Sequence, residues 1–223
     1  MPRMSPARAH FLRETAENES NQTSASLDGL KGYELMLATL NIHKRSLKQL
    51  QSVERKVEFK RRVFPEYQPW IDGALRAGTG VQDAVLMTML VWAIDIGNYP
   101  TALEIAKYAL FHDLTMPEQF DRTTACVIAE EISLQAKNAR NRKAEFDVDV
   151  LLQTHELTAE FDMPDQVRAR LLREIAERWH EIEPEKTLEI VSRAIELDAN
   201  CGAKPIRTKL EKLLNKQTEQ PKS

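Results

Sequence analysis

The chain has 223 residues, 31 Lys/Arg against 34 Asp/Glu for a formal charge of −3, and only seven glycines. Seven glycines amount to about 3%, under half the usual ~7%, and glycine supplies the positive-φ positions of hairpins, dinucleotide turns and phosphate loops. So few glycines argue against a β-rich fold and against a nucleotide cradle, and neither GxGxxG nor GxxxxGK[ST] occurs.

Residues 5–13 read as a short helix, with Ser5 as N-cap and Pro6 at its first position. The polar run from Glu14 to Gly32 reads as a flexible linker. A helical pattern opens at Tyr33, Leu37 and Leu40 and leads into the stretch His43–Arg62. There Leu47, Leu50, Val53, Val57 and Phe64 recur at three- and four-residue spacing, predicting one long helix with an apolar stripe. About 20 residues would give a rod of roughly 30 Å, ended by Pro65 and Pro69.

Further helices are predicted over Tyr67–Asp72, Val81–Ile96 with Gly97-Asn98 closing it, Tyr99–Phe111, and Thr123 or Thr124 to about Lys137. Asn138–Lys143 reads as a polar connection. Val148–Phe161, Pro164–Ile182, Pro184–Leu197 and Lys204–Asn215 complete the series, followed by a polar tail. No segment alternates with period two, so the expected class is all-α. The longest apolar stretch, about Val85 to Ile96, is too short to span a bilayer and reads as a buried helix. The first residues contain no apolar core of a signal peptide. Cys126 and Cys201 make neither a disulfide framework nor a zinc site, and a reducing intracellular compartment is expected.

The net charge conceals an asymmetry. Residues 1–62 hold 12 Lys/Arg against 7 Asp/Glu, whereas the remainder holds 19 against 27. The excess concentrates in Lys44, Arg45, Lys48, Arg55, Lys56, Lys60, Arg61 and Arg62. Such a helix is either a solvated face or an electrostatic footprint for a phosphate backbone. The opposite sign of the rest of the chain favours the footprint, and the apolar stripe would also allow pairing with copies of itself.

Two segments resemble each other, Gly97–Leu110 and Ile182–Ile195, and each is similar to the second helix of a tetratricopeptide repeat. Their offset of 85 is not a multiple of that repeat's ~34-residue period, so a repeat array is the weaker reading. The five histidines stand singly, with no HxxxH or HExxH, and no metal site is expected. Glu130-Glu131 and Asp147-Val148-Asp149 are the local acidic clusters. Glu54-Arg55-Lys56 and Glu58-Phe59-Lys60 match the Glu-x-Lys spacing of one nuclease core, but lie on a predicted helix rather than on strands. No catalytic residue is assigned. Trp70, Trp92 and Trp179 read as core anchors, as do Met36, Met87, Met89 and Met116 as core filling.

Longer strings carry a resemblance: Gln82–Trp92, Ala102–Leu110, Leu114–Pro117 and Leu157–Ala169, with Ser5-Pro6-Ala7, His10-Phe11 and Tyr33–Leu37. Together they resemble the GpM-type small terminase subunit of temperate contractile-tailed phages, over about residues 4–212. The resemblance implies a DNA-packaging role in the host cell cytoplasm. It implies binding to the cohesive-end site of concatemeric double-stranded DNA, a homo-oligomeric ring, and recruitment of the large ATPase subunit. No cofactor and no membrane partner is implied. The expected organisation is a short helix plus linker (1–32), a basic DNA-binding and oligomerisation region (33–64), a helical, partly tetratricopeptide-like body for oligomer and large-subunit contacts (65–216), and a disordered tail (217–223). The family is often labelled the endonuclease subunit, so an intrinsic endonuclease remains an alternative. A tetratricopeptide-like interaction scaffold is another.

Overall fold

The computed structural model describes residues 5–21, 27–117 and 120–219, and all regular structure among them is helical. The chain divides into two compact units at Thr124/Ala125.

The first unit holds α1 (Pro6–Asn21), α2 (Leu27–Gln49), α3 (Val53–Val63), a 3-10 turn (Phe64–Glu66), α4 (Gln68–Ala77), α5 (Ala84–Ile96) and α6 (Tyr99–Phe111). α5 is its axis. Asp83 caps α5 by accepting the N–H groups of Val85 and Leu86 at 2.7 and 2.9 Å, and Gly97 closes it at φ +79°. Its apolar residues run all round and nearly all are buried, because α2, α3, α4 and α6 cover it from several sides. α1 lies along α4, and Gly73 lets them approach: a Cβ there would sit 2.5 Å from the Arg13 carbonyl oxygen.

The second unit holds α7 (Thr124–Asn141), which starts at the boundary, then α8 (Val148–Thr158), α9 (Asp165–Trp179), α10 (Pro184–Leu197) and α11 (Lys204–Glu219). α9 packs on α8 and α10, and α10 on α11. Asp147 caps α8 by accepting the Asp149 N–H at 2.9 Å.

The all-α expectation holds, and several boundaries shift. Ser5 does cap α1, accepting the Arg8 N–H at 3.3 Å, but the helix continues to Asn21 rather than ending near residue 13. Burial of Leu12, Thr15 and Ala16 carries it past the polar onset that suggested a linker. The expected linker is helical over 14–21 and again from Leu27; residues 22–26 lie outside the described residues.

The basic stretch is not one rod. It breaks at Leu50–Ser52, and Ser52 starts a new helix by accepting the Arg55 N–H at 3.4 Å. The break resets the helical phase, so the expected stripe does not form. Val53 is 74% exposed and Leu47, Leu50 and Val57 are only partly covered; of the expected stripe Phe64 alone is buried, together with Met36, Leu40 and Val63 outside it. Phe64, Tyr67 and Trp70, on either side of position 64/65, are all buried within the first unit.

α7 continues through Asn141, absorbing most of the expected polar connection, and α8 and α9 end earlier than predicted. α11 runs to Glu219, so the expected disordered tail is helical at 217–219; residues 220–223 lie outside the described residues. The tetratricopeptide-like detail is not confirmed. The two similar segments are α6 and α10, one in each unit; α6 packs on α5, whereas α10 packs on α9 and α11.

Candidate nucleic-acid interface

The two basic helices frame a cleft. α2 contributes Asn41, Lys44, Arg45, Leu47 and Lys48, α3 contributes Lys56 and Lys60, and α5 contributes Trp92, around about 610 Å³. Thus five of the eight cations singled out by sequence converge: Lys44, Arg45, Lys48, Lys56 and Lys60. Arg55, Arg61 and Arg62 do not line it. Arg61 donates to the Ile96 carbonyl at 3.4 Å, Arg62 lies 5.0 Å from the Phe59 ring centre, and Arg55 is exposed.

The phase explains the selection. Asn41, Lys44 and Lys48 recur at three and four residues along one flank of α2, and Lys56 and Lys60 do so on α3. Arg55 and Arg62, seven apart, fall on another face of α3.

Beneath the cleft lies a closely packed aromatic floor. The His43 ring meets Phe59 and Tyr67 edge-on at 5.7 and 5.8 Å, and Tyr67 meets Trp92 at 5.9 Å. The Tyr67 hydroxyl stands 2.7 Å from His43 Nδ1. Burial holds His43 below the ordinary histidine value, opposed by Glu66 and reinforced by Arg62. Burial likewise pushes the Tyr67 phenol well above its usual value. Both groups are therefore neutral at pH 7, and the floor adds no charge of its own.

Among the cations, Lys60 alone of the five is tied down. It pairs with Asp95 of α5 and sits 5.8 Å from the Trp92 ring centre. Lys44, Arg45, Lys48 and Lys56 form no ion pair among the described residues. Burial and the neighbouring charge of Lys48 depress the Lys44 pKa. The cleft thus stores like-charge repulsion that a bound polyanion would relieve.

Sequence reasoning missed Asn41, Leu47, Trp92 and Asp95. Asn41 was legible from its spacing to Lys44 and Lys48. Trp92 and Asp95 come from a distant helix, and no local signal marks them.

No group of three or more His, Cys, Asp or Glu side chains that could hold a metal ion occurs among the described residues. Both Glu-x-Lys matches lie on α3. Glu130 pairs with Arg170 at 3.7 Å, and Asp147 serves as a helix cap. Trp70 and Trp92 are buried as expected, whereas Trp179 is only half-buried, with Lys186 at 5.8 Å from its ring centre.

The sequence pattern described as phage small terminase subunit matches residues 37–166, more than half of the chain. The chain belongs to that family. The "Terminase, endonuclease subunit" of Escherichia phage P2 is 38% identical over 98% of this chain and 90% of its own length. The "Probable terminase, endonuclease subunit" of Haemophilus phage HP1 (strain HP1c1) is 22% identical over 54% of this chain and 43% of its own. No solved structure matches. In this small terminase subunit the matched segment contains all eight cations and the whole of α3, α4, α5 and α6. No helix among the described residues is long and apolar enough to cross a membrane.

Proposed function

We propose that this small terminase subunit binds double-stranded phage DNA through the cleft between α2, α3 and α5. It recognises the cohesive-end site of concatemeric DNA in the host cytoplasm, assembles as a homo-oligomeric ring, and directs cutting and packaging by the large ATPase subunit. The supporting observation is the convergence of Lys44, Arg45, Lys48, Lys56 and Lys60 on one cleft whose lining carries no carboxylate, with Asp95 opposing Lys60 alone of the five.

Filter binding of duplex DNA across a salt series tests this reading. The variant Lys44→Gln, Lys48→Gln, Lys56→Gln is expected to bind more weakly and to flatten log K against log salt by ~0.9 for each phosphate no longer neutralised. Unchanged affinity and slope would remove the cleft from DNA binding.

A second reading, an intrinsic endonuclease, is favoured by the names of both relatives, each called an endonuclease subunit. Incubating the purified subunit with site-containing DNA and Mg²⁺ or Mn²⁺, without the large subunit, decides it. Nicking would support the second reading, and intact DNA would leave cutting to the partner.

A further inference from the structure

α2 presents two opposed faces. At 100° per residue, Met36, Leu40 and His43 point inward, where the first two are buried and His43 meets Tyr67. Half a turn round the helix stand Ala38, Ile42, Arg45 and Gln49, all of them exposed, with Ile42 at 60%. Asn41 and Lys48 lie between this ridge and the cleft. Asn41, Arg45 and Gln49 make no hydrogen bond or ion pair among the described residues, so their polar groups are free to meet a ligand.

We propose that α2 is a base-reading helix: its Ala38–Gln49 ridge enters the major groove while the cleft lysines on its flank hold the adjacent phosphate strand. The proposal rests on the DNA-binding reading and names the helix face that reads the bases. Three observations carry it. The first is side-chain chemistry. Arginine pairs with the O6 and N7 edge of guanine, asparagine and glutamine pair with adenine, and an alanine or other apolar side chain packs on the thymine methyl. The ridge holds both kinds: Arg45 and Gln49 can pair with base edges, and the exposed Ala38 and Ile42 can meet thymine methyls. The second is dimension. Ala38 to Gln49 spans about 16 Å of helix, close to the rise of about five base pairs, and the major groove admits one α-helix. The third is continuity. Asn41 faces both ridge and cleft, and Lys44 and Lys48 follow on the same flank, so a groove seated on the ridge places a phosphate strand over the lysines.

α3 is the less suited helix. Its outer face carries Glu54 and Glu58, four residues apart and both exposed, which would oppose the phosphates flanking a groove.

The test is selection of binding sites by the full chain from a pool of duplexes with a randomised core. The parent protein is expected to enrich a motif. Asn41→Ala is expected to keep binding the pool and to lose preference at one or two positions, by roughly five- to 150-fold against the wrong base, and Arg45→Ala, which also removes a cleft cation, to lose preference similarly while binding all duplexes more weakly with a slope lower by ~0.9. Asn41→Ala removes no charge and leaves the salt slope unchanged. Lys56→Gln, by contrast, is expected to weaken all duplexes evenly, lower the slope by ~0.9 and keep the motif. Circular dichroism confirms that each variant remains helical. Enrichment of the same motif by both α2 variants overturns the proposal, as does binding by the parent protein without any motif. Loss of the motif in Arg55→Ala alone would move the reading to α3 and equally overturn it. Absence of any duplex binding by the parent protein rejects the DNA reading itself, and this proposal with it.

Discussion

Among the described residues each unit buries one acidic side chain, and the two are treated in opposite ways. In the first unit Asp83 accepts only neutral donors: the N–H groups of Val85 and Leu86 and the Trp70 indole N–H at 2.7 Å. Burial raises its pKa, against the hydrogen bonds from Leu86, Trp70 and Val85. In the second unit Glu174 is met by three arginines, with Arg140 at 3.2 Å, Arg173 at 2.6 Å and Arg178 at 2.9 Å. Burial alone would raise its pKa as well, but the hydrogen bonds from Arg140 and Arg178 and the charge of Arg173 outweigh burial and hold the carboxyl below the usual range. The contrast teaches where the cations go. The second unit draws arginines inward around a carboxylate. The first leaves Lys44, Arg45, Lys48 and Lys56 without a carboxylate partner, which is the arrangement a polyanion requires.

The largest expected effect breaks the contrast from the second unit's side. Glu174→Gln leaves three guanidinium groups around an uncharged amide and should cost about 3–5 kcal/mol. Fluorine-labelled tryptophan NMR during urea unfolding reads it locally, since Trp179 belongs to the second unit and Trp70 and Trp92 to the first. The Trp179 transition should move to lower urea. The sign with pH follows from the depressed pKa. The Glu174 contribution is full above the ordinary glutamate value of 4.5 and declines as pH falls below it, so the penalty of the substitution should shrink in acid.

Next in size is Asp83→Ala, which removes the cap of α5 and orphans the Trp70 indole. The missing cap accounts for ~1 kcal/mol and the unpaired buried donor for about 1–3 kcal/mol. The Trp70 and Trp92 transitions should shift while Trp179 holds. Equal movement of all three resonances would show that the two units unfold as one.

A smaller effect concerns the one restrained cation. Asp95→Asn releases Lys60 from its pair and should tighten DNA binding by up to about fivefold, the worth of an exposed to partly exposed ion pair. It should also steepen the salt slope by ~0.9 if the freed ammonium reaches a phosphate. Weaker binding would mean that Asp95 orients Lys60 rather than competing for it.

The smallest effect is the pH response beneath the cleft. His43 has a lowered pKa, so its contribution to the first unit is full above 6.5 and is lost as pH falls below that value. The Trp92 transition should weaken slightly between about pH 7 and 5.5, and His43→Gln should flatten that dependence.

Much of this protein was legible locally. The glycine deficit, the apolar run of α5, the Gly97-Asn98 stop signal and Ser5-Pro6 at the start of α1 are short-range facts, and with the helical periodicity they sufficed for the all-α class and most helix positions. The packing strings that resembled terminase small subunits were also continuous in sequence, and the family match bears them out. The break at Leu50–Ser52 was harder to see. Leucine, glutamine and serine carry no strong breaking signal, and the apolar spacing continues across them although the helix does not.

Sequence by itself determined the class, the family and the inventory of cations in residues 44–62, because composition and helical periodicity are properties of neighbouring residues. Only the tertiary structure decided which five of the eight cations share a cleft, that Trp92 completes its lining and that Asp95 holds Lys60. It also decided that the buried carboxylates stand in opposite surroundings. Those facts depend on how helices distant in the chain are rotated against one another, and a one-residue change in helical phase turns a side chain by about 100°.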